Sequence, residues 1–258
     1  MAEHAAGSVL VTGGTGRLGR ALLLTLLHAG FEVRALVRRP EAALPAGVTA
    51  AAGDLSDGAG LAEAVRGVDA IVHLASGSAG GDTEAIDIEG TARLIEAARA
   101  SGRPHLLYLS IVGIDRTPLP YYAVKVRVEE QIAASGLPWT SLRTTQFHEL
   151  IAEWLERRAA VFARGVSFQP VATADVSNEV VRLLRSGPAH AIVEFGGPEV
   201  LTSEVLASTF TTATDAEPLA IGEPAPRSAA AAFAGGNLLA PEHAFGRITW
   251  GDWLAARG

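Results

Sequence analysis

The sequence contains no cysteine. That excludes disulfides and thiolate metal sites. Its 7 histidines are scattered, with no H-x-x-x-H or comparable spacing, so no metal is expected. Positive charge is scarce too: 21 Lys+Arg stand against 28 Asp+Glu, a formal net charge of −7. With no Lys/Arg block, the chain lacks the electrostatic footprint of a nucleic-acid binder. No apolar run reaches the roughly 20 residues that cross a bilayer. Met1 to Gly7 has neither the basic nor the apolar region of a signal peptide. These absences predict a cytoplasmic protein with no membrane or nucleic-acid partner. A single methionine beside abundant alanine, glycine and arginine is the residue usage of a GC-rich bacterial genome.

What is present suits a packed protein. Hydrophobic residues make up 48% and charged residues 19% of 258 positions, enough to bury one α/β core and too apolar for disorder. The organising stretch runs from Val9 to Arg20. It reads as a buried strand, a turn with Gly13, Gly14, Thr15 and Gly16, and a helix opening at Arg17, Leu18 and Gly19. Such a turn lets a pyrophosphate approach the backbone, and the helix start offers it N–H groups and a positive dipole end. Phe31 to Val37 alternates as a second strand. An acidic residue near that strand's end would bind a ribose 2′-hydroxyl. Here Arg38, Arg39 and Pro40 follow instead, and an arginine holds a 2′-phosphate where an aspartate would repel it. The cofactor expected is therefore NADP(H), with a solvated loop arginine as the alternative.

Val48 to Leu55 reads as the third strand, ending in Gly53-Asp54-Leu55 at the sheet's ligand edge. Asp54 either accepts from an adenine amino group or caps a helix over 60–66. Val68 to Ser76 is the fourth strand, in which His73 reads as packed rather than as a ligand. Ala75, Ser76 and the small residues 77–81 let a ribose and nicotinamide lie close to the backbone. A helix over 82–100, a strand from His105 with Ser110 at its end, a helix over 121–135 and the strand Trp139 to Arg143 follow. Strict alternation of this kind predicts a Rossmann-type, doubly wound parallel sheet. Beyond Thr144 the pattern loosens into a helix over 147–163, a strand over 166–171, a helix capped by Asp175, a strand over 191–195, a helix capped by Thr202, and a terminal helix over 248–256. The expected division is a dinucleotide-binding core over 1–145 and a smaller substrate-binding lid over 146–258, integrated as one domain.

Tyr121 and Lys125 form a Tyr-x-x-x-Lys motif, whose members share one face of a helix. A nearby ammonium lowers a phenol's pKa and makes it a better proton donor near neutral pH. Lys125 also has the reach to bond a nicotinamide ribose, and Ser110 to hold a substrate carbonyl. Tyr122 is the adjacent alternative to Tyr121. Phe147, His148, Trp154 and Phe168 are the candidate substrate lining, with core packing as their alternative role.

These stretches together resemble the atypical, NmrA-like NAD(P)H-binding branch of the short-chain dehydrogenase/reductases. Val11 to Gly19, Ala35 to Arg38, Gly53 to Leu55, Leu109 to Asp115, Tyr121 to Lys125, Ser135 to Thr140, Leu142 to His148 and Ile248 to Leu254 carry the likeness. It implies NADP(H) held by Gly13 through Gly19 and Arg38, catalysis by Ser110, Tyr121 and Lys125, and a nicotinamide contact near Thr144 to Phe147. The activity expected is NADPH-dependent reduction of a ketone, quinone or enone. Redox-neutral chemistry on the same fold and a non-catalytic NADP(H) sensor are the alternatives. The expected partner is a small-molecule substrate, and the Leu and Ala positions of the 121–135 helix would permit a homodimer.

Overall fold

A computed structural model describes residues 6–39, 41–77, 84–225 and 228–257. The small residues 78–81 and the first two positions of the helix expected over 82–100 lie outside that set. In chain order the elements are β1 (Ala6–Thr12), α1 (Arg17–His28), β2 (Phe31–Val37), β3 (Thr49–Ala52), α2 (Leu61–Ala64), β4 (Ala70–His73), a π-helical turn (Glu84–Glu89), α3 (Gly90–Ala100) and β5 (His105–Ile111). They continue with α4 (Pro120–Ala133), β6 (Trp139–Thr144), α5 (His148–Glu156), β7 (Ser167–Phe168), α6 (Thr173–Ser186), β8 (Ile192–Phe195), β9 (Leu201–Thr202), α7 (Ser203–Thr214), α8 (Ala229–Phe233) and α9 (Trp250–Ala255).

Seven strands form one parallel sheet in the order β3-β2-β1-β4-β5-β6-β8. Val9 to Thr12 pair with Val33 to Leu36 on one side and with Ala70 to His73 on the other. The order reverses at β1, so the carboxyl ends of β1 and β4 flank the crevice where such sheets bind ligands. The fold is of the Rossmann type.

Contacts divide the chain into two discontinuous units: residues 1–110, 124–142 and 177–193, and residues 111–123, 143–176 and 194–258. In the first unit, α1 buries Leu18, Leu22, Leu23 and Leu26. A core of Leu10, Ile71, Leu106 and Tyr108 from the strands meets Leu61, Leu94, Ile95, Val128 and Ile132 from the helices. Most of α6 belongs to this unit although it follows residue 145.

The second unit is built on aromatic rings. Phe168 is fully buried, with ring centroids 5.2 Å from Phe162, 5.6 Å from Phe233 and 6.4 Å from Trp154. It lies on a two-stranded antiparallel ribbon, opposite Leu201. Phe168→Ala would leave a cavity in this cluster and is expected to cost about 3–5 kcal/mol, read as a drop in the denaturant midpoint. Thr202 caps α7 by accepting from the Val205 N–H at 3.3 Å, as the sequence suggests. Thr249 and Asp252 cap α9 reciprocally: the Thr249 hydroxyl donates to the Asp252 carboxylate at 2.6 Å and accepts from the Asp252 N–H at 3.1 Å.

Three local expectations are corrected. The helix expected over 147–163 ends at Glu156, because Arg158 adopts φ +51° and the Ala159 N–H turns back to the Trp154 carbonyl at 2.8 Å. Asp175 lies inside the first turn of α6, and its carboxylate takes the N–H groups of Arg247 and Ile248 at 2.7 and 2.9 Å in place of a helix end. Leu219 to Ile221 forms no strand.

Candidate cofactor site and active site

The glycine turn between β1 and α1 is shaped by close backbone approach. Gly13 has φ +71°, and a Cβ there would stand 2.8 Å from the Ala75 nitrogen and 2.9 Å from the Leu74 carbonyl carbon. A Cβ on Gly19 would land on the Gly13 carbonyl oxygen and within 2.7 Å of the Gly14 backbone. The two glycines thus bring β1, the segment after β4 and the first turn of α1 together. Gly16 caps α1 with no side-chain bond, and no acidic residue occupies the first turn. Thr15, Gly16 and Arg17 are exposed, while Gly14, Leu18 and Gly19 are buried. A helix start lacking both a side-chain cap and a carboxylate fits a pyrophosphate.

Arg38 and Arg39 follow β2, both exposed and with no acid beside them in the chain. Asp54 does not cap α2, which starts from Gly60 without a side-chain bond. Its carboxylate instead accepts the backbone N–H and the hydroxyl of Ser56, both at 2.8 Å. The Ser56 N–H and hydroxyl, and to a smaller degree the Arg38 charge, hold that carboxyl below its usual range against the opposing effect of burial. Leu55, expected at the cofactor, is buried in the core, and its Cβ would lie 3.0 Å from a Cβ on Gly90.

Beneath the Leu74–Gly77 segment runs a buried polar chain whose direction follows from its proton inventory. The Thr91 hydroxyl donates to the Asp87 carbonyl, so it must accept from His73 Nε2–H at 3.0 Å. His73 Nδ1 is then an acceptor for the Thr12 hydroxyl at 2.7 Å, and Thr12 Oγ1 accepts the Ala75 N–H at 3.2 Å. Burial, followed by the Lys125 charge, pushes the His73 pKa down to about 3, so the ring stays neutral. The packed role read for His73 holds, with a defined tautomer added.

Asp87, on the π-helical turn, is buried. Its carboxylate accepts the Gly77 N–H at 2.6 Å and the Ser76 hydroxyl at 2.7 Å. Lys125 is only 5% exposed, with Nζ 4.9 Å from the centroid of the Tyr108 ring. Burial pushes its ammonium down to about 8, opposed first by the Asp87 carboxylate and then by Glu129. Ser110, at the carboxyl end of β5, is 1% exposed, and its hydroxyl has no hydrogen-bond partner among the described residues. An orphaned buried hydroxyl at the ligand edge of a sheet fits a substrate or cofactor oxygen.

Tyr121 and Tyr122 open α4 after Pro120, Tyr121 half-buried and Tyr122 buried. Burial, then the neighbouring Tyr121, pushes the Tyr122 phenol well above its ordinary value, the wrong direction for proton transfer.

Asp87 and Thr91 were not among the residues singled out from the sequence, although an aspartate set directly between Ile86 and Ile88 was a readable signal. A second signal concerns Lys125. It is the only lysine in the chain; the other 20 cationic side chains are arginines.

In the second unit, Thr144 is buried, and its carbonyl accepts the Val112 N–H at 3.0 Å. Phe147 precedes α5 and keeps part of its surface, as does Trp154. His148 is enclosed, its ring 5.7 Å from Trp250 and 5.5 Å from Trp253. Burial pushes its pKa down to about 4. His148 and Phe168 are therefore packing groups of this unit rather than exposed lining.

Residues 13–186 match a family model described as NAD(P)H-binding. A (4-alkanoyl-5-oxo-2,5-dihydrofuran-3-yl)methyl phosphate reductase of Streptomyces griseus is 32% identical over 205 residues, covering 76% of this chain and 70% of that one. Quinone oxidoreductase 2 of Escherichia coli is 25% identical over 217 residues, covering 79% and 73%. The solved structure of the NADPH-dependent quinone oxidoreductase from Escherichia coli, complexed with NADPH, superposes with a TM-score of 0.78 at 21% identity, over 96% of this chain and 99% of that one. Several further relatives are matched over less than half of their own length. The matched model begins at the first glycine of the turn and runs to the end of α6. The chain belongs to the NAD(P)H-binding family.

Proposed function

We propose that this protein is an NADPH-dependent reductase of the NmrA-like branch, acting on the carbonyl or activated C=C of a medium-sized, apolar or aromatic substrate. The observation that carries this reading is Lys125. A chain that uses arginine for every other cation keeps one lysine, and that lysine is buried one helical turn after Tyr121. A solvated helix face has no need of a buried ammonium, whereas a tuned phenol does.

Gly13 through Gly19 would hold the pyrophosphate, and Ala75 and Ser76 would border the nicotinamide ribose. When bound, the cofactor supplies a hydride to the electrophilic carbon. Tyr121 donates the phenolic proton to the oxygen that gains charge, and Lys125 stabilises the phenolate left behind. The Ser110 hydroxyl donates a hydrogen bond to the same oxygen, holding the carbonyl in place. Phe147 and Trp154 offer the apolar surface for the substrate, as both keep exposed area.

NADPH is favoured over NADH by Arg38, an exposed guanidinium directly after β2, where the chain places Arg39 and Pro40 next and no carboxylate at the strand end. A charge-assisted hydrogen bond to phosphate is worth about 1.5–3 kcal/mol. Arg38→Ala should therefore raise the KM for NADPH by roughly 10- to 100-fold and leave the KM for NADH unchanged. An equal effect on both cofactors would assign Arg38 no part in the choice. The reductase reading itself is tested by NADPH oxidation against quinones, enones and aromatic ketones. Turnover supports it, and tight NADPH binding with no oxidation across the panel would turn the assignment to redox-neutral chemistry or cofactor sensing.

A further inference from the structure

The loop that delivers Tyr121 is fastened at two neighbouring residues. Its segment, Ile111–Ala123, belongs to the same unit as Arg143–Val176 and Glu194–Gly258. Asp115 pairs with Arg143 of β6 at 3.0 Å, and the arginine side chain is only 8% exposed. Arg116 and Asn237 are tied reciprocally across 121 positions: the Arg116 guanidinium donates to the Asn237 carbonyl at 3.1 Å, and the Asn237 amide donates to the Arg116 carbonyl at 3.0 Å. Gly113 lies so close to the same stretch that a Cβ there would land on the Asn237 carbonyl oxygen. Between Arg116 and Tyr121 the chain reads Thr117-Pro118-Leu119-Pro120. Each proline fixes its own φ and restricts the residue before it. The Leu119 N–H also donates to the Thr117 carbonyl at 2.8 Å. Such a connector has little freedom left, so the placement of residues 115 and 116 passes on to Tyr121.

Asn237 is itself held from behind by two buried glutamines. The Gln169 N–H donates to the Gln146 amide oxygen at 3.1 Å, and the Gln146 amide donates to the Leu238 carbonyl at 3.0 Å. The Gln169 amide oxygen accepts the Ala240 N–H at 2.7 Å, while its nitrogen donates to the carbonyls of Gly197 and Ala240 at 2.8 and 3.2 Å. Buried amides with partners for both oxygen and nitrogen hold a backbone in one place. Residues 237–240, outside any helix or strand, thus form a fixed strap. We propose that Asn237 is a positioning residue for Tyr121: from this strap, through Arg116, it sets where the loop presents the phenol. The inference rests on the reading of Tyr121 as proton donor given above, and it deepens that reading by naming what places the donor.

The chain has 3 tyrosines, so tyrosine labelled with ¹³C at Cζ gives one NMR signal for each, assigned with Tyr121→Phe and Tyr122→Phe. Spectra are taken of the protein without added cofactor. Asn237→Ala and Arg116→Ala each remove one bond of the reciprocal pair, from a half-buried and an exposed side chain, and the double variant removes both. The Tyr121 signal should shift or broaden in each single variant and further in the double. The signal of Tyr108, in the core of the other unit, should stay where it is. With a quinone that the wild type reduces, kcat of the double variant should fall by about 10-fold or more, because a misplaced group costs rate. The KM for NADPH should stay within about twofold of wild type. An unmoved Tyr121 signal in the double variant overturns the proposal, even where the unfolding temperature falls, since the pair is then a structural clamp alone. A kcat equal to that of the wild type overturns it as well. Should Asn237→Ala fail to fold, the Tyr121 signal of Arg116→Ala decides in the same way. Absence of turnover in the wild type would sink the reductase reading, and the Tyr121 signal would still decide the role of Asn237.

Discussion

Tyr121→Phe should lower kcat by roughly 10²- to 10⁴-fold, the usual worth of a positioned general acid. NADPH affinity should stay within about threefold of wild type, since the lost hydroxyl acts in the transition state and contributes little to ground-state binding. The phenyl ring fills the same space, so stability is not the variable. Tyr122→Phe is the control. That phenol is packed away, and burial drives its pKa upward, so its loss should leave kcat nearly intact. A kcat that falls in Tyr122→Phe and not in Tyr121→Phe would exchange the two assignments.

The second large effect is expected from a substitution that keeps the charge. Lys125→Arg should cost about 10²-fold or more in kcat, although the site remains cationic. The guanidinium is a wide planar fork in place of a compact point charge, and it enters a position that is 5% exposed against the Tyr108 ring. It also resists the pKa adjustment that burial imposes on an ammonium. Everywhere else this chain has settled on arginine. Full activity in Lys125→Arg would show that only the charge matters and would remove the main support for the Tyr–Lys assignment. Thermal unfolding of the same variant separates misfolding from lost chemistry.

The dinucleotide half of the fold was legible because its signals are local. Glycines in tight turns, β-branched runs and helix stops each act within a few residues, and Gly13 and Gly19 lie where backbones touch. Carboxylates were harder to read. A helix cap was the reading for Asp175 and the alternative for Asp54, and neither caps: Asp54 accepts the N–H and hydroxyl of Ser56, two residues on, and Asp175 accepts the N–H groups of residues 247 and 248, which only tertiary structure brings near. The end of α5 depends on a non-glycine residue at positive φ, Arg158, whose guanidinium reaches the carbonyls of Glu217 and Pro218 about sixty positions away. Such a stop leaves no mark in local composition. Phe168 and His148 show the limit of reading aromatics: a ring in a loosely patterned region serves a pocket and a core equally well until its neighbours are known. Asp87 escaped notice because a π-helical turn has no sequence period of its own. The solitary lysine was countable from the start, and its meaning became plain only once its burial was seen.

The central claim is that NADPH is consumed as a reductant by this site. The direct measurement is the balance between NADPH lost and product formed when the purified protein meets a quinone, enone or aromatic ketone that it converts. Reduced product appearing in equal amount to the NADPH oxidised, with both rates falling together in Tyr121→Phe, is the predicted result. Product formed while NADPH stays undiminished would contradict the account and establish the cofactor as a participant that is returned unchanged.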